Sequence, residues 1–150
     1  MSSITFDETH WPLLIVRFSD VATPKEFEAY LAHRLACMQR QERHVVIYDT
    51  RRARLIPSEH RQRHLEWVGE HEALRSQTLL GNALIITSPV IQLTMNLVLH
   101  LRPDVLPYFV AATLPEAALW GADRLRDAGE IATAERLRQH FEPQLGSRDK

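Results

Sequence analysis

The run HVVIYDTRRARLIPSEHRQRH, residues 44–64, gathers side chains able to do chemistry. Asp49 and Thr50 close an apolar stretch. Arg51, Arg52, Arg54, Arg61 and Arg63 follow, with Glu59 the sole acid among them. Guanidinium groups in such number suit an anion: a phosphorylated group, a nucleotide or an acidic protein surface. They also follow the end of a β-branched run, and open α/β sheets place their ligands at the carboxyl ends of strands. A helix starting at Ser58 would add unpaired N–H donors to the same rim. The competing reading is a solvated loop in which Asp49 and Glu59 pair locally with the arginines.

Other chemistries fit less well. His60, His64 and His71 fall near one helical face, and two histidines four apart can ligate zinc. A zinc protease needs H-E-x-x-H, however, and the run here is H-R-Q-R-H, with Arg61 and Arg63 repelling a cation. Trp67 and Leu74 share that face, so the histidines are expected to border packed surface and no metal is expected. There is no G-x-S-x-G elbow, and Cys37 falls mid-helix, where nothing lowers its pKa. The five glycines, at 69, 81, 121, 129 and 146, build neither a phosphate loop nor a dinucleotide fingerprint. Neither catalysis nor a cofactor is expected.

The elements that must position these residues are legible from periodicity. Ile4 and Phe6 alternate with polar residues as a short strand, and WPLLIVRF (11–18) reads as its hairpin partner. Thr23, Pro24 and Glu26 form a capping box with a preset φ, opening a helix striped by Phe27, Tyr30, Leu31, Leu35 and Met38. HVVIYD (44–49) is a third strand. A second helix runs from a Ser58 cap to about Arg75, NALIIT (82–87) is a fourth strand, and Ser88-Pro89 opens a third helix to Leu101. LPYFVAAT (106–113) is a fifth strand. Thr113 with Glu116 caps a fourth helix ending near Gly129, and residues 130–141 form a further one. The order β-β-α-β-α-β-α-β-α predicts an α/β fold: a mainly parallel five-stranded sheet with one antiparallel edge strand, covered by helices. Residues 1–128 form the domain, and 129–150 a helical extension and tail of the same domain.

The third helix carries its own signal. Residues 79–101 contain no Asp, Glu, Lys or Arg, yet Asn82, Gln92, Asn96, His100 and the Ser88-Pro89 break argue for a buried strand plus a helix over a membrane span. In PVIQLTMNLVLHL, Gln92, Asn96 and His100 make one narrow polar stripe and apolar residues fill the rest. A helix on a sheet normally turns a charged face outward. Gln92, Met95, Asn96, Leu99 and His100 are therefore expected at a contact, either with the C-terminal segment or with a second copy or partner. A lipid-binding groove is a further reading.

Composition narrows the partners. The 150 residues hold 18 basic and 19 acidic side chains, which gives no global field toward nucleic acid. One cysteine rules out an intrachain disulfide and suits a cytoplasmic home, and the first residues lack the pattern of a secretory signal.

The hairpin followed by αβ units, with Asp49 ending the third strand, resembles the STAS-like family typified by bacterial anti-sigma factor antagonists. The resemblance covers about residues 3–128 and rests on element order. In that family the loop after the third strand carries a D-S-[ST]-G-like run with a phosphoacceptor, so the resemblance makes Thr50 a candidate acceptor. Arg51 and Arg52 replace the small residues and the glycine is missing. The resemblance implies a non-catalytic regulatory or scaffolding module in a bacterial-type signalling pathway. The charge cluster beside the strand end adds docking of an acidic or nucleotide-bearing protein partner through the arginine-rich segment, and the uncharged third helix adds self-association as a homodimer. Some members look like lipid-transfer folds, which implies the alternative of a small-molecule or lipid carrier with a pocket bordered by the third helix.

Overall fold

The computed structural model describes residues 2–101 and 106–146. The side chains of Leu99 and His100, both expected at a contact, lie outside what is described. Five strands form one sheet in sequential order: β1 (Ile4–Asp7), β2 (Leu13–Asp20), β3 (His44–Ala53), β4 (Leu79–Ile85) and β5 (Tyr108–Ala111). β1 pairs antiparallel with β2, and all the other pairings are parallel. The helices are α1 (Pro24–Gln39), α2 (Ser58–Glu70), α3 (Glu72–Thr78), α4 (Pro89–Leu101), α5 (Leu114–Asp127) and α6 (Ile131–Phe141). This is the α/β architecture that the order of elements predicts.

Topology decides which helix lies where. Parallel crossovers are right-handed, so crossovers that always step the same way along a sheet leave their helices on one face. α1, α2 and α4 accordingly cover one side, packing against Leu14, Val16, Val46, Leu84 and Ile86. α5 follows the last strand and takes the other side, where Leu13, Ile15, Val45, Ile47, Ala83 and Ile85 meet Ala117, Ala118, Ala122 and Leu125. The approach is close. A Cβ on Gly121 would stand 2.6 Å from Leu13 Cδ1, so any larger residue there would force the Leu13 side chain to shift. α6 turns back at Gly129, whose φ of +93° suits a residue without a side chain, and buries Leu137 and Phe141 in the same cluster.

Three local expectations are corrected. β3 runs on to Ala53, so Arg51 and Arg52 lie on a strand rather than in a loop. The cause is β2, which continues past a register shift after Arg17 and pairs Ser19 with Arg52 and Asp20 with Ala53. The second helix is two helices, broken at His71 (φ −120°, ψ 25°) two residues after the helix-weakening Gly69. Pro57, not Ser58, occupies the cap position of α2, and no side chain caps that end. The Thr23–Glu26 box is present at α1, and at α5 the Thr113 side chain accepts from the Glu116 N–H. Among the described residues no helix is long and apolar enough to cross a membrane.

One core residue sets an acid limit on stability. His44 is wholly buried at the start of β3, its Nδ1 3.0 Å from the Glu42 carbonyl and its ring stacked on Trp11. Burial holds its pKa down at about 4. The unfolded chain takes up this proton near pH 6.5, so the contribution is complete above that value and disappears as pH falls toward 4. Between pH 7 and pH 4 the native chain should lose about 3 kcal/mol more than a His44→Gln variant, read from urea unfolding at both pH values. Parallel losses in the two proteins would show that His44 is protonated in the fold.

Candidate ligand pocket between the sheet and its helical cover

Side chains alternate across a strand, so Tyr48 and Thr50 of β3 face the side covered by α1, α2 and α4. Asn82 and Leu84 of β4 join them on that side. α1 lies over β2 and β3, and α4 lies over the end of β4 through Ile91 and Met95. The space left between these helices, roofed by α2 and α3, is a pocket of about 490 Å³. Phe18, Phe27, Ile56, Leu65, Val68, Leu84, Met95 and Val98 give it a mainly apolar wall, and Tyr30, Tyr48, Thr50, His60, Arg61, Glu72, Arg75, Ser76 and Asn82 add polar and charged points. That size and mixture are typical of small-molecule sites.

The polar points differ in what they leave free. Thr50 is buried, and its hydroxyl donates to the Ile85 carbonyl at 2.7 Å. A phosphate on that oxygen would remove this donor and break the bond. Asn82 is 9% exposed, and its Oδ1 has no hydrogen-bond partner among the described residues. A buried amide oxygen in that state costs about 1–3 kcal/mol unless a donor reaches it. His60 lies flat on Phe27, 4.5 Å between ring centroids, and burial lowers its pKa, which keeps it neutral at pH 7. His64 also lines the pocket, while His71 tilts against Trp67.

Behind the wall sits Arg34 of α1, 1% exposed. It occupies the apolar stripe of that helix, and its guanidinium lies over the rings of Tyr48 and Trp67. Its Nη1 donates to the hydroxyls of Tyr30 and Tyr48. Arg34 is not among the residues that motif and charge bring forward in the sequence. The signal was present: position 34 lies three and four residues after Leu31 and Tyr30, on the face that must be buried.

The arginines singled out in the sequence are mostly engaged. Arg51 grips Asp49 with Nε at 3.0 Å and Nη2 at 2.8 Å. Burial works to raise the Asp49 carboxyl, but the Arg51 hydrogen bonds and the Arg17 charge outweigh it and hold the group below its usual range. Asp49 lies outside the pocket lining, and Arg17 of β2 reaches its carboxylate. Arg54 pairs with Asp20, Arg61 donates to the Ile56 carbonyl, and Arg63 pairs with Glu28 across to α1. Arg52 is exposed on the strand.

The expected contact set on α4 divides. Met95 turns inward to the pocket, while Gln92 and Asn96 hydrogen-bond each other along the helix. The outward apolar row is instead Val90, Leu93 and Leu97, and α6 packs on the opposite face of the molecule. Elsewhere Glu8, His33 and Cys37 bring one ligand atom each within 4.8 Å of one another. Glu8 there already bonds His33 and Arg40. Comparison of the chain with family models, with curated proteins and with solved structures finds no match.

Proposed function

We propose that this chain is a small-molecule-binding domain, a carrier or sensor of an apolar ligand held between the sheet and α2 and α4. The observation that carries the reading is the 490 Å³ apolar pocket with the unpaired Asn82 Oδ1 in its wall. A core of ordinary packing density leaves few voids larger than a water molecule. A space of this size, ringed by aromatic side chains, is built for an occupant. The rival reading, docking of an acidic partner by the arginine cluster, has less support. Arg51, Arg54 and Arg63 already hold acids of this chain, and Arg61 is turned to a backbone carbonyl.

The test is a titration with N-phenyl-1-naphthylamine, an uncharged apolar dye that brightens out of water. Saturable enhancement at one dye per chain, with Kd of about 1–10 μM, is the expected result. Linear, unsaturable fluorescence from folded protein would remove the pocket reading.

A further inference from the structure

The wall of the pocket at Tyr30 and Tyr48 is electrically unusual. Arg34 stands behind it, fully buried, and among the described residues no carboxylate pairs with it. Its Nε and Nη2 also lack an acceptor. Isolating a cation in this way is strongly unfavourable, and the ring faces of Tyr48 and Trp67 offset only part of that. The partners it does have are neutral phenols, which accept from Nη1. A phenol that accepts from a guanidinium still has its own proton to give, and the cation behind it strengthens that donation. Tyr30 and Tyr48 both line the pocket, whereas Arg34 does not. Burial pushes the Tyr30 phenol up, so it keeps this proton at any physiological pH. The arrangement is a pair of polarised phenols in the wall of a mainly apolar pocket, backed by a guanidinium that no carboxylate among the described residues pairs with; Arg61, Glu72 and Arg75 bring further charge to the lining.

We propose that the pocket's ligand is an apolar monocarboxylate whose headgroup accepts from the hydroxyls of Tyr30 and Tyr48, with Arg34 as its buried counter-charge. The inference rests on the ligand-binding reading above and adds the chemical class to it. A single negative charge balances the Arg34 cation, which lies behind the two phenols. The hydrocarbon body then lies against Leu84, Met95 and Val98. A neutral ligand would leave the Arg34 guanidinium uncompensated.

Displacement of N-phenyl-1-naphthylamine by dodecanoate and by dodecanol, at pH 7.5 and below micelle formation, tests it. Dodecanoate should displace the dye at a concentration about tenfold or more below that of dodecanol, as expected for charge-assisted hydrogen bonds. In Tyr48→Phe, and separately in Tyr30→Phe, that advantage should shrink to about threefold or less while dodecanol is unaffected. Circular dichroism establishes that each variant is folded, and either folded variant suffices. Equal displacement by acid and alcohol in the native chain overturns the carboxylate assignment and leaves the pocket reading standing. An undiminished advantage in both variants overturns it as well, since the headgroup would then be held elsewhere. Failure of the dye itself to bind removes the pocket reading, and the carboxylate assignment with it.

Discussion

Leu84→Trp should abolish saturable binding of the apolar dye, weakening it at least about a hundredfold, while the protein stays folded. Leu84 stands near the end of β4 with its side chain on the pocket wall, between Asn82 below and Ile86 beyond. An indole placed there projects into the space that a ligand would use. Overpacking a dense core costs about 1–3 kcal/mol because neighbours must shift. Here the extra volume enters an existing cavity, so thermal stability should hold or rise, as cavity-filling changes commonly do by about 0.5–2 kcal/mol. Loss of binding together with a retained or raised melting temperature is the signature. Unaltered dye affinity in a folded variant would place the dye outside this pocket.

The second large effect concerns the far side of the sheet. Phe141 is 2% exposed at the end of α6, in one cluster with Leu13, Leu125 and Leu137 and edge-on to His10. Truncation to alanine removes a whole ring from a packed site, and such changes cost about 3–5 kcal/mol. Against a total of about 5–15 kcal/mol this is a large share, equivalent to about 10 °C in melting temperature for a chain of this size. Urea unfolding of Phe141→Ala measures it. A loss below about 1 kcal/mol would mean that α6 is peripheral to the fold. The dye titration should be little changed in the same variant, because α6 and the pocket lie on opposite faces of the sheet.

How far the sequence foretold this molecule differs by level. Strand and helix types follow from periodicity, and the Thr23 and Thr113 caps are read directly from residue type and spacing. Boundaries that depend on a partner strand are not local. Nothing in TRRA announces that β2 continues past a register shift and carries Arg51 and Arg52 into the sheet. The break at His71 is similarly weak in sequence, with Gly69 its only hint. At the site, Thr50, His60 and Met95 each suggest another role in sequence, as acceptor, core histidine and contact residue. What joins them is a gap between helices, and a gap has no residue type. Arg34 was the exception. A charged residue on an apolar stripe is a sequence-level anomaly, and it marks the wall where the polarised phenols stand.

The most direct test of the central claim is where a bound apolar molecule sits, read by nuclear Overhauser contacts from methyl groups to N-phenyl-1-naphthylamine. The account predicts contacts from the Met95, Leu84 and Val68 methyls, which line the pocket. Contacts confined to Val90, Leu93 and Leu97, the exposed row of α4, would mean adsorption on the surface and would contradict it.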